Sequence, residues 1–184
     1  ANDISGVGVS MARQRAKANG LEDRVKAYVM NATPTEFPSG SFDLVHGMGI
    51  LHHVGLDAGL REVYRLLKPG GRAVFLEPFG SSRLVEAGKR RMHKLLGSRL
   101  PFRPVTSGEE NLTMRAVRVS GRIFSRVEIY PYHLVHRVRK LILPRSLYTA
   151  ALRADHLLLR CCPPLSHFAG AAVIGIFAGV ADPL

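Results

Sequence analysis

The sequence predicts an α/β fold with a mixed, mainly parallel sheet and helices on both faces. Strand and helix signals alternate along the first half, which is the pattern of consecutive βα units. The chain has 184 residues, enough to bury one core without disulfide or metal support. The longest uncharged run ends in an apolar stretch, 168–181, which falls short of the ~20 residues of a membrane helix. It reads instead as a buried strand rich in Ala, Val and Ile, although Gly175 and Gly179 form a small-xxx-small pair within it. Hydrophobic residues make up 46% and charged residues 22%, and 18 Gly and 11 Pro follow no period. That composition excludes a disordered chain and a fibrous repeat.

The elements follow in order. Asp3 closes a short apparent strand ahead of a helix expected at 12–19, which Gly20 ends because Gly accepts a left-handed cap. Alternation of Val25, Ala27 and Val29 predicts a strand at 24–30, followed by a Pro/Gly loop at 33–41 and a strand at 42–48. Leu60, Val63, Tyr64, Leu66 and Leu67 recur at helical spacing within 57–68, with Asp57 as N-cap and Lys68 favoured by the helix dipole. Pro69-Gly70-Gly71 stops that helix, and 72–76 form a strand that ends at Glu77-Pro78. The second half predicts a basic helix at 83–96, a linker at 97–108 and a helix at 109–119. Strands are expected at 126–132 and 171–179, with basic amphipathic stretches at 135–143 and 146–160.

Charge is uneven. The formal net charge is +12, and residues 1–77 carry 9 basic and 8 acidic side chains against 17 and 6 in 78–184. The second half therefore suits an anionic partner: a membrane surface, an acidic substrate or nucleic acid. Nucleic acid is disfavoured by 7% aromatics, the absence of Trp and the lack of an RNA or DNA module. Arg83, Lys89, Arg90, Arg91 and Lys94, then Arg137, Arg139, Lys140, Arg145, Arg153 and Arg160, run beside apolar positions such as Leu141 to Leu143 and Leu157 to Leu159. This is a pattern for a helix at a membrane interface, or a solvated basic face packed on the sheet.

Several residues invite a chemical reading. Asp3 sits where a carboxylate can accept both hydroxyls of a ribose, or where it can cap the following helix. Gly6-Val7-Gly8 lacks a third glycine at the spacing of a phosphate loop and a preceding apolar strand. His52 and His53 fit proton acceptors near a substrate or a packing role at a helix entry, with packing preferred. Glu77 fits a pocket wall or the cap of the next helix. The adjacent Cys161 and Cys162 cannot form a bridge framework or a four-ligand zinc site, and they read as buried small hydrophobes in a reducing, cytoplasmic compartment. No metal is expected. Asp43 and Tyr130 read as structural.

The ordered series Asp3-Ile4-Ser5, Ala12-Arg13, Gly20-Leu21, Asp23-Arg24-Val25, Asn31-Ala32, Phe37-Pro38, SFDLV at 41–45, ILHH at 50–53 and RLLKPGG at 65–71 resembles the class I S-adenosylmethionine-dependent methyltransferases. The resemblance covers residues 1 to about 77, and the EPFG and GEENL segments extend it loosely. It implies a single domain over 1–184, with a cofactor-binding core at 1–77 and a substrate-side half at 78–184. It also implies a Rossmann-like fold, a seven-stranded mixed sheet in the intact family member, and S-adenosyl-L-methionine as cofactor. Asp3 would hold the ribose, Ile4 would lie beside the adenine, and Asn31 with Ala32 would face its amino group, where the family usually has Asp. His46, Gly47 and Met48 would lie near the sulfonium, with Gly47 and Gly49 allowing close approach. His52, His53 and Glu77 are the catalytic candidates.

The activity implied is methyl transfer to a small-molecule or lipid-like acceptor, such as a quinone precursor. The alternative is a degenerate module acting in membrane-surface or protein interaction. A nucleotide-sugar or NAD-binding sheet is disfavoured by RLLKPGG and LHH. The chain opens without a signal-peptide pattern, inside a strand, and reads as N-terminally truncated: the family's first strand and glycine-rich loop would precede Asp3. Two open strand edges and low stability are then expected.

Overall fold

The computed structural model describes residues 1–79, 91, 112–132 and 147–179. The expected basic helix at 83–96 (Arg91 excepted), the linker at 97–108 and the amphipathic stretch at 135–143 lie outside these residues. The elements are β1 (Asn2–Asp3), α1 (Gly6–Ala18), β2 (Tyr28–Val29), β3 (Phe42–Met48), α2 (Leu51–Val54), α3 (Leu56–Leu66) and β4 (Leu67–Pro78). After these come α4 (Met114–Ser120), a 3-10 turn (Gly121–Ile123), β5 (Arg126–Tyr132), α5 (Tyr148–Cys161), a 3-10 segment (Pro163–Phe168) and β6 (Ala171–Phe177).

The strands form two ladders. β1 and β2 pair in parallel around α1, and β3, β4, β6 and β5 form a second sheet in that order. Within it β3 and β4 run parallel, joined by the α2–α3 crossover, whereas β6 pairs antiparallel with both β4 and β5. Among the described residues β1 and β3 thus each keep one unpaired edge, as expected from the sequence. Leu44 and Met48 on β3 are 58% and 71% exposed.

β6 explains the uncharged C-terminal run. It lies between two partners, and Ala172, Ile174 and Ile176 are fully buried. A strand covered on both faces has no polar alternation to show. Around it the core joins Leu60 and Val63 of α3, Phe75 of β4, Val117 of α4 and Ile174 of β6. Burial of each such side chain contributes about 1.5–3 kcal/mol. Gly121 lets the turn after α4 close on β5, since a Cβ there would lie 2.7 Å from Val127 Cγ2.

Several expected bounds shift for local reasons. α1 starts at Gly6 because the Ser5 hydroxyl accepts from Gly8 N, and the GVG triplet is therefore helical. The strand expected at 24–30 shrinks to Tyr28–Val29: Arg24 and Val25 donate back to Leu21 in a turn, and β1 offers two residues of pairing. The helix expected at 57–68 is capped by Gly55 at φ +83°, so Asp57 lies in its first turn, and LHHV forms the separate α2. β4 begins at Leu67, and Lys68 to Gly71 bulge between the Phe42–Leu67 and Leu44–Arg72 pairs. The helix expected at 109–119 starts at Met114, after Thr113 accepts from Ala116 N.

Candidate functional site

A cavity of about 640 Å³ opens where the carboxyl ends of β1, β2 and β3 face one another. All seven residues expected to hold the cofactor line it: Asp3, Ile4, Asn31, Ala32, His46, Gly47 and Met48. Ile4 and Met48 are 75% and 71% exposed and form its apolar rim, while Val45, Val63, Leu66 and Phe75 make a greasy floor.

Asp3 does not cap α1; Ser5 does. Asp3 Oδ1 accepts from Ser5 N at 2.7 Å, which fixes the carboxylate. Oδ2 takes no hydrogen bond from a described residue, and Gly8 leaves it room, since a Cβ there would stand 3.0 Å from it. Asn2 Nδ2 reaches the Asn31 carbonyl at 3.4 Å, so the two strand ends hold each other while the Asn31 amide stays exposed. Gly47 departs from expectation in one respect. A Cβ at this position would meet the Phe75 ring at 2.6 Å and Ile50 Cγ2 at 2.9 Å, so its smallness serves core packing. Gly49, at φ +62°, takes a conformation that only Gly adopts readily, and it turns the chain from β3 towards α2.

Two residues of this cavity escape sequence reading. Glu62 on α3 is 7% exposed and holds the loop after β2: Oε1 accepts from Thr35 N at 2.9 Å and from the Thr35 hydroxyl at 2.7 Å. Arg65 donates to both Glu62 oxygens and to the Phe37 carbonyl. The Arg65 guanidinium, foremost, with help from Thr35, brings the Glu62 carboxyl down to about 2 against the cost of burial. The signal available was the i, i+3 Glu–Arg pair, which is usually a surface feature. The other is Thr33, whose Oγ1 is buried with no hydrogen-bond partner among the described residues.

The catalytic candidates come together at the carboxyl end of β4. Glu77 is fully buried, and its Oε1 accepts from Ile50 N at 2.8 Å and Leu51 N at 2.9 Å. Its Oε2 lies 2.7 Å from His52 Nδ1. His52 packs against His53, ring centroids 4.0 Å apart, and His53 lines the cavity. Glu77 therefore does not line the cavity; it anchors the turn that carries both histidines.

Elsewhere, Lys68 donates to both oxygens of the exposed Asp43, and this hydrogen-bonded ammonium holds the Asp43 carboxyl below the ordinary range. The Tyr130 hydroxyl donates to Glu128 on the surface of β5. Cys161 and Cys162 are exposed, contrary to expectation, because α5 turns the residues of its last turn outward. Leu152, Leu157 and Leu158 of α5 are also exposed, beside Arg153 and Arg160. Among the described residues no helix is long and apolar enough to cross a membrane.

Two parallel βα units with a cavity beyond the carboxyl ends of their strands make a Rossmann-like α/β arrangement, the kind of fold that class I S-adenosylmethionine-dependent methyltransferases have. Residues 1–75 match the family described as a methyltransferase domain. Among curated proteins, the ubiquinone/menaquinone biosynthesis C-methyltransferase UbiE of Geotalea daltonii is 38% identical over 84 residues, 45% of this chain and 35% of that protein. Its counterpart from Bartonella tribocorum is 41% identical over 76 residues, 41% and 29% of the two chains. The chain thus spans about a third of the length of these relatives.

Solved structures agree on the fold. The [4+2]-cyclase SpnF superposes with a TM-score of 0.58 at 20% identity, covering 98% of this chain and 65% of that one. Geranyl diphosphate C-methyltransferase from Streptomyces coelicolor, solved with geranyl diphosphate and S-adenosyl-L-homocysteine, gives 0.55 at 17% identity, with 98% and 61% covered.

Proposed function

We propose that the chain binds S-adenosylmethionine in the cavity and serves methyl transfer to a small, lipid-like acceptor of the quinone class. The observation that carries this is the convergence of Asp3, Asn31 and His46 on one cavity, with a carboxylate oxygen of Asp3 left to accept. The residues fit the cofactor. Asp3 Oδ2 would accept from the ribose hydroxyls, and Ile4 would lie against the adenine. The Asn31 amide would accept from the adenine amino group, and Thr33 Oγ1 supplies a further buried polar atom in need of a partner. His46 to Met48 would border the sulfonium end. When bound, the cofactor supplies an activated methyl group, and the contribution of these residues is chiefly alignment.

The acceptor class rests on the UbiE relatives, whose name places them in ubiquinone and menaquinone biosynthesis. The exposed leucines and arginines of α5 support contact with an anionic membrane, where such an acceptor would reside. The test is titration calorimetry of S-adenosylhomocysteine into the 184-residue chain and its Asp3→Ala variant. Binding is expected, weakened about 10- to 100-fold by the substitution, the loss of a hydrogen bond to a charged group. No binding by the chain, or equal binding by the variant, overturns the reading; the former favours an interaction module.

A further inference from the structure

We propose that Glu77 and His52 form the proton-accepting pair of the site, with His52 taking the proton an acceptor loses on methylation and Glu77 as its positioning residue. The inference rests on the methyl-transfer reading above. Glu77 lies at the end of β4 with no exposed surface, and a buried carboxylate must have its oxygens satisfied. Two backbone N–H groups satisfy Oε1, and His52 Nδ1 satisfies Oε2. Because Glu77 is already the acceptor of two N–H donors, Nδ1 carries the hydrogen and donates. A neutral imidazole with its hydrogen on Nδ1 has its lone pair on Nε2.

That nitrogen has no partner among the described residues, and it is not among their buried, unpartnered polar atoms, so it is open. His52 flanks the cavity through Gly49: a Cβ built on Gly49, which lines the cavity, would lie 3.7 Å from His52 Cε1. Among the described residues, the charged and titratable groups against His52 are Glu77 on β4 and His53 on its own element. The contact on Oε2 selects the Nδ1–H tautomer of His52.

The step balances simply. An acceptor carbon or hydroxyl that bears a hydrogen gives up that proton to Nε2 and keeps the electron pair for its bond to the methyl carbon, whose bond to the sulfonium sulfur breaks with its electron pair staying on the sulfur. His52 becomes imidazolium, with its Nδ1–H still on Glu77, and returns the proton to solvent from Nε2.

The test is two-bond proton–nitrogen correlation NMR of the histidine-labelled 184-residue chain, with His52→Gln to assign the signals. The expected result is His52 as the Nδ1–H tautomer, and a loss of that preference in Glu77→Gln. Should Glu77→Gln fail to fold, the unsubstituted chain alone decides: the Nε2–H tautomer overturns the proposal. Diethyl pyrocarbonate, applied in saturating S-adenosylhomocysteine and mapped by mass spectrometry, reads access to Nε2. Modification of His52 supports the proposal, and protection overturns it. Calorimetry on the same sample separates the two readings. Absence of S-adenosylhomocysteine binding overturns the cofactor reading and the pair's role with it. Binding with the wrong tautomer overturns the pair's role alone.

Discussion

Replacing Glu62 by Gln removes one charge from the clamp between α3 and the loop after β2 while keeping an oxygen that can accept from Thr35. The Glu62 carboxyl is held at about 2 instead of the ordinary 4.5. At about 1.36 kcal/mol per pH unit, this sets a ceiling of roughly 3 kcal/mol on its contribution at neutral pH. The Arg65 side chain is 34% exposed, so solvent screening reduces the expected value to about 1–2 kcal/mol. A carboxyl depressed in the folded state stabilises fully above its unfolded value and loses that contribution as pH falls through its folded one. The difference between the chain and Glu62→Gln, measured by urea unfolding, is therefore expected to be constant above about pH 5.5 and to shrink between about 4.5 and 2. All other carboxylates are common to both proteins and cancel. A difference that does not change across that window, or none at pH 7, would refute the reasoning.

Two further outcomes are expected. Gly47→Ala should lower stability by about 1–3 kcal/mol, because Phe75 is 2% exposed and its ring has nowhere to move; an unchanged urea midpoint would count against the packing role. The chain should cosediment with vesicles rich in anionic lipid at low salt and release as salt rises, with α5 as the contact. Failure to bind at low salt removes the membrane from the proposed function.

What the sequence made legible was set by how local the cause was. β3 and β5 match their expected bounds at 42–48 and 126–132 because the β-branched and aromatic residues that favour a strand lie within the strand itself. β2 did not, because its length is decided by a two-residue partner far along the chain. The seven cavity residues were legible through a resemblance spanning the whole first part, each lying at or just beyond a strand end. The buried state of Glu62 was not, since nothing in LREVYRL says that the acid beside Val63 will face a loop. The cysteines misled because burial was inferred from residue type, whereas the orientation of the last turn of α5 decides it.

The two ladders have a consequence for how binding would be felt. Among the described hydrogen bonds, none joins residues 1–32 directly to residues beyond 41. The connection runs through loop 33–41, clamped by Glu62 and Arg65, and through Phe37, whose ring stands edge-on between Tyr28 and Phe42. A ligand touching Asp3 on one side and His46 on the other would act as a cross-brace between two ladders that share no hydrogen bond among the described residues. Affinity and rigidity then become one quantity: whatever loosens the loop taxes binding, and whatever fills the cavity slows the opening of both ladders together.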